Sequence, residues 1–130
     1  MNRILVVGLI GLAGALGTLL RYAVALGARS VLGAEFPYGT LLVNLAGCFL
    51  IALVSQLAIS TPWISPSART ILTTGFMGGL TTYSSFNFEA TNLMQERAWG
   101  SASAYLGMTV VGCFLAGLLG LMVARRIALA

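Results

Sequence analysis

Long apolar runs separated by short polar stretches dominate the pattern of this chain, and they predict four membrane-spanning helices at about residues 4–26, 38–59, 68–95 and 102–124. The first run carries Gly8, Gly11, Gly14 and Gly17, with the small pairs Gly11/Ala15 and Ala13/Gly17 four residues apart. Small residues at that spacing let two helix backbones approach closely. Arg21 lies near the far end of the run, where its long stem can reach the interface or a vestibule. Arg29, Gly33, Glu35 and Pro37 suit a polar loop. In the second run Thr40, Asn44 and Cys48 recur four residues apart, with Ser55 near the same stripe, so one face of that helix is polar. Asn44 is its most informative member, because an amide inside a span is costly to bury without a partner. It is either a pore or ligand contact or an interhelical hydrogen bond.

The third run is irregular. After a connection with two prolines, capping serines and the interfacial Trp63, a helical pattern extends from Arg69 to about Met77. Gly78-Gly79 then weakens the helix, and a second half resumes near Thr82, with Thr81 or Thr82 as its cap. A helix broken at membrane depth survives only where the break is buried in protein or lines a wet cavity. The stretch from Gly75 to Phe86 is therefore where function is expected. Glu89, Glu96 and Arg97 close this segment, and Trp99 marks the interface again. On the fourth run Gly112, Ala116 and Gly120 form a packing seam. Tyr105, Thr109, Cys113 and Gly117 form a separate small and partly polar track.

Composition turns this pattern into a class. Of 130 residues 8% are charged and 58% hydrophobic, and the mean hydropathy is +0.96, so the chain is an all-α integral membrane protein, read as one domain over 1–130. The first run lacks a signal-peptide cleavage pattern and is expected to be retained. Seven arginines face only Glu35, Glu89 and Glu96, with no Lys, Asp or His. The arginines are scattered at segment ends, which argues against nucleic acid. The missing His and Asp argue against an enzyme or a mixed metal site. Cys48 and Cys113 fall mid-span, where a free thiol usually behaves as a small apolar group. With four spans one side holds Arg3, Arg69, Arg125 and Arg126 and the other Arg21, Arg29 and Arg97, almost no bias. Such a chain either inserts both ways up, which allows an antiparallel dimer, or has a fixed topology with a weak signal.

Asn44, hydroxyls and aromatic edges offer hydrogen-bond donors with little formal charge, an environment suited to a small, strongly hydrated anion. Tyr83 and Phe86, three apart, share one face of the resumed helix. The unwound carbonyls after Gly78 and near Thr81 have the opposite character, since hard oxygens of this kind hold alkali cations. A plain kink and ordinary helix packing would explain each feature alone.

Together, Gly75-Phe-Met-Gly-Gly-Leu-Thr-Thr-Tyr-Ser-Ser-Phe86 resembles the G-x-x-G-G-x-T-T-F-S-T-F signature of the Fluc (CrcB) fluoride channel family. The likeness extends over the whole chain, through Arg21, through Asn44 between Gly39-Thr40 and Gly47, and through Tyr105 and Thr109. The resemblance implies an antiparallel, dual-topology homodimer with two pores in the cell inner membrane, exporting fluoride passively. It implies that Asn44 donates to fluoride, that Tyr83 and Phe86 turn ring edges to the pore, and that Ser84, Tyr105 and Thr109 line its polar side. Arg21 would serve a vestibule or its supporting network, with Thr40 beside it. The Gly78 and Thr81 carbonyls of both subunits would hold a structural Na⁺ at the dimer centre. The sequence departs from the family pattern at Tyr83, where Phe is usual, and at Cys113 and Gly117, where a hydroxyl track would continue. Glu89 sits either at a pore mouth or at a solvated helix end. Two other classes compete. A small dual-topology proton-coupled exporter needs a carboxylate in the membrane, and residues 4–26 contain none. In a non-transporting assembly subunit, the polar faces would serve association alone.

Overall fold

The structure, a computed structural model, describes residues 2–129. Among these there is no strand. Six α-helices and one π-helical segment follow in order: α1 (Arg3–Leu32), α2 (Tyr38–Ser60), α3 (Pro66–Thr70), the π segment (Ile71–Met77), α4 (Gly78–Leu80), α5 (Tyr83–Gln95) and α6 (Trp99–Leu129). Three of them, α1, α2 and α6, are long and apolar enough to cross a membrane. The remaining segment, 66–95, is the interrupted one, and neither half alone has the roughly 20 residues of a crossing.

Two helices run further than the apolar pattern predicts. Nothing between Gly27 and Leu32 breaks a helix, so α1 continues to Gly33, whose φ of 90° ends it, with Arg29 favourably placed in the last turn. At the other end α6 passes Arg125-Arg126 and stops at Leu129, giving a helix of roughly 46 Å at about 1.5 Å per residue. The turn into α6 is a Schellman motif: Arg97 N–H donates to Met94 C=O and Ala98 N–H to Leu93 C=O, with Arg97 at φ 60°. Ser65 caps α3, accepting from Ala68 N–H, with Pro66 in the first turn.

The interruption does not lie at Gly78-Gly79, where weak helix propensity puts it. Both glycines remain helical, and the chain leaves the helix at Thr81 (ψ 155°) and Thr82 (φ −152°, ψ 118°). The glycines have a different purpose, which is close approach. A Cβ on Gly79 would lie 2.2 Å from the Gly14 carbonyl oxygen, and one on Gly17 would lie 2.1 Å from that of Phe76. The seam between α1 and residues 75–80 thus uses Ala13, Gly14 and Gly17. Gly11 and Ala15 are exposed, and a Cβ on Gly11 would meet nothing within 4 Å, so that pair is not a contact within the chain. The fourth-run seam holds at Gly112 and Gly120, whose Cβ positions would clash with Leu45 and with the Phe49 carbonyl.

The buried core sits where α2, α5 and α6 meet: Leu41, Phe86, Ala90, Leu93, Ala102 and Tyr105. Elsewhere large apolar side chains stand exposed, among them Leu12, Leu16, Leu19, Phe114 and Met122, as expected of helices solvated by lipid or by another chain.

Gly17→Ala should lower the melting temperature in detergent, because its methyl meets backbone that cannot give way, at a cost of about 1–3 kcal/mol. Gly8→Ala, with open space around it, should leave melting unchanged. Equal melting of the two variants would refute the close-approach role of Gly17.

Candidate functional site

At Thr82 the extended backbone removes the helical partners of several carbonyls, and side chains from other elements replace them. Asn44 supplies the central brace. Its Oδ1 accepts from Thr82 N–H at 2.8 Å, and its Nδ2 donates to Thr82 C=O at 3.1 Å. The amide thus pairs with one residue's backbone in both directions, as a strand neighbour would, while Asn44 stays 7% exposed. Of the two readings of Asn44, the interhelical hydrogen bond is present; the residue also lines the cavity beside the break, and its second Nδ2 hydrogen has no partner among the described residues. Thr82 then caps α5: its Oγ1 accepts from Ser85 N–H at 3.2 Å.

These two substitutions have a direct consequence for Gly78 and Thr81. In an unbroken helix their carbonyls would accept from Thr82 N–H and Ser85 N–H, and both donors are turned elsewhere. A third carbonyl, that of Gly79, is held by α1: Arg21 Nε donates to it at 3.2 Å and Thr18 Oγ1 at 3.4 Å. Arg21 is therefore part of the support of the break. Gly47 makes room beside it, since a Cβ there would fall 2.1 Å from Thr81 Cγ2.

Beside the break lies a cavity of about 370 Å³. Asn44, Thr81, Thr82, Tyr83, Phe86 and Thr109 are among its lining residues, which include no carboxylate and no basic group. Phe86 is 4% exposed and packs edge-on against Tyr105, with ring centroids 5.2 Å apart and planes at 64°. Tyr83 is 5.6 Å from Phe86 between centroids and 79% exposed. Thr109 is buried, and its hydroxyl finds no partner among the described residues. Ser84 does not line this cavity; its hydroxyl lies 3.2 Å from that of Thr82.

Glu89 is no solvated helix-end charge. One carboxylate oxygen accepts from Thr40 Oγ1 at 2.8 Å and the other from Tyr105 O–H at 2.6 Å, tying α5 to α2 and α6. It also borders a second, wider cavity of about 500 Å³ that includes Arg29, Glu35, Tyr38 and Glu96. Tyr105, fully buried, stands behind Phe86 as its support. The sequence reading missed Thr82 as the residue Asn44 serves and Gly79 as the carbonyl Arg21 serves. The one signal for either was the presence of costly polar groups within spans.

The family description "CrcB-like protein, Camphor Resistance (CrcB)" matches residues 8–121. The chain belongs to the CrcB-like family. It is 49% identical over 118 residues to a protein of Sorangium cellulosum, covering 91% of this chain and 93% of the relative. To one of Chlorobium luteolum it is 46% identical over 125 residues, covering 96% of each. A relative from Citrifermentans bemidjiense is 43% identical, with 91% and 95% covered. All three are named fluoride-specific ion channel FluC. The CrcB-like match extends over α1, α2, the interrupted segment and most of α6, and so includes every residue of the cavity and the break. Membership and the apolar helices make the chain a multi-pass membrane protein.

Asn44→Ala should strand the Thr82 N–H and C=O, at about 1–3 kcal/mol for each buried group left unpaired. Melting in detergent should fall by several degrees, and protease nicking within 78–83 should rise. A variant as stable and as resistant as the parent would show that the brace is dispensable.

Proposed function

We propose that the chain is a fluoride-selective passive channel that lets fluoride leave the cytoplasm across the inner membrane and so relieves its toxicity. It is not an enzyme: its relatives are named as ion channels. The observation that carries the reading is the uncharged, donor-bearing cavity where Asn44, Phe86 and Thr109 meet. A small anion leaving water needs its hydration donors replaced. The spare Asn44 N–H and the positive edges of the Phe86 and Tyr83 rings are replacements of that kind, with Thr109 on the same wall. Because none carries a full charge, the anion is held without being trapped. Tyr105 keeps the Phe86 ring in place, Thr40 and Glu89 keep Tyr105 in place, and Ser84 joins the path from the exposed side. Arg21 holds the break and contributes positive potential at its vestibule.

The interrupted segment 66–95 then serves as a fourth crossing of one domain. Two copies in opposite orientation form the working unit, with two paths. The Gly78 and Thr81 carbonyls suit Na⁺, since both have lost their helical donors and hard oxygens are its preferred ligands. Gly78 is exposed in the single chain, as a site shared between two subunits requires. Bound Na⁺ would offset the clustered carbonyl dipoles. A proton-coupled exporter is disfavoured, because α1 has no carboxylate and both oxygens of Glu89 are occupied.

Proteoliposomes loaded with fluoride or chloride test the reading with ion-selective electrodes. Rapid fluoride efflux with negligible chloride efflux is expected, and equal rates or none would overturn it. Phe86→Ile should reduce fluoride efflux about tenfold or more, the loss of an edge contact worth about 1.4 kcal/mol. Parental efflux in this variant would remove the ring from the path. Exhaustive replacement of Na⁺ by N-methylglucamine should abolish efflux and shift the protein to a smaller species on sizing. Unchanged size and efflux would refute the cation assignment.

A further inference from the structure

Both cysteines of the chain line the 370 Å³ cavity, Cys48 from α2 and Cys113 from α6, and both are free thiols. The helices that carry them, α2 and α6, pack directly against each other. The backbones are near as well: one turn beyond Cys113, a Cβ on Gly117 would lie 3.8 Å from the Cys48 carbonyl oxygen. One turn before it, Thr109 lines the same cavity and is 6% exposed, its buried hydroxyl finding no partner among the described residues. Met77 adds a third sulfur to the lining. Two thiols packed tightly into a helix contact would be mere small apolar residues. These border a cavity large enough for a guest.

The donor set selects the guest. No carboxylate lines the cavity, so hard divalent cations find no charged ligand there. No group of three or more His, Cys, Asp or Glu able to hold a metal occurs among the described residues, which excludes a tetrahedral zinc site of the usual kind. Two facing thiols match soft d¹⁰ cations that accept two sulfur ligands.

We propose that Cys48 and Cys113 form a binding site for a soft cation of the Hg(II), Ag(I) or Cu(I) class in the wall of the candidate anion path, and that occupation of this site closes the path. The closure rests on the channel reading; the binding does not. Binding of Hg(II) breaks two S–H bonds, forms two Hg–S bonds and releases two protons to solvent. Sulfur keeps its oxidation state, so no oxidant is needed. The linear S–Hg–S unit spans α2 and α6 across the cavity bordered by Phe86 and Asn44. A monovalent guest leaves its two thiolates with one net negative charge, which opposes an anion in the same space.

The test uses HgCl₂ and the whole chain in two arms. In detergent, thiol titration should show one Hg(II) per chain with loss of both reactive thiols. Cys48→Ala and Cys113→Ala should each bind at least tenfold more weakly, and the double variant should not bind. Two Hg(II) per chain, or a single variant that binds as the parent does, would overturn the paired site. In proteoliposomes, each protein is compared with its own untreated fluoride efflux. Parental efflux should fall at least tenfold with micromolar HgCl₂ and return with dithiothreitol, while the double variant should be insensitive. Paired binding in detergent with undiminished efflux would overturn the placement in the path. Absence of fluoride efflux from the untreated parent would instead refute the channel reading and leave the detergent result standing. Sizing of each variant before assay excludes misfolding as the source of lost binding.

Discussion

One amide holds this fold open. Asn44 offers Thr82 both a donor and an acceptor, so the chain can leave helical geometry inside an apolar layer without exposing a bare N–H and C=O. Without that pairing the lower-energy path for residues 78–86 would be to continue the helix, which would return the Gly78 and Thr81 carbonyls to ordinary hydrogen bonds. The Asn44 brace is thus what makes the electronegative oxygens available and what starts α5 at the angle that points Phe86 into the core. Its position in turn requires α2 to lie close to Thr81, and Gly47 allows that.

Two further contacts lock the geometry from other sides. From α1, Arg21 and Thr18 take the Gly79 carbonyl, so one guanidinium satisfies an oxygen that the break leaves without its usual donor. On the opposite flank Glu89 collects Thr40 and Tyr105, fixing the ring against which Phe86 rests. A carboxylate with hydrogen bonds to both oxygens is far less costly to hold at depth than a bare one. Every long helix therefore contributes at least one polar hold on the interrupted segment, while apolar surface is left to the outside.

Much of this was legible in the sequence because polar groups in apolar spans are expensive and therefore purposeful. Asn44 and Thr40 stood out for that reason, and each makes a specific hydrogen bond, whereas Arg21 and Glu89 read as charges near segment ends and their partners did not show. The position of the break was misjudged because propensity names glycine as the weak point, whereas these glycines are selected for backbone contact with α1 and stay helical. The π segment had no signal at all: Ile71–Met77 reads as ordinary helix, and its wider turns follow from tertiary fit. Span ends failed at Leu32 and Leu129, since hydropathy marks where lipid ends and not where helical hydrogen bonding ends. Pairings such as Gly79 with Arg21 are long-range in sequence, and no periodicity reveals them.

The wider cavity carries an electrostatic consequence. It gathers Glu35, Glu89 and Glu96, the only acidic residues of the chain. Arg29 is the one arginine on the same lining, so Arg3, Arg21, Arg69, Arg97, Arg125 and Arg126 lie off it. The acidic charge of the chain is thus gathered in one place, while its arginines are spread along the chain. With three carboxyl side chains against one guanidinium, that cavity carries the opposite sign to the chain around it, whose net charge is +4.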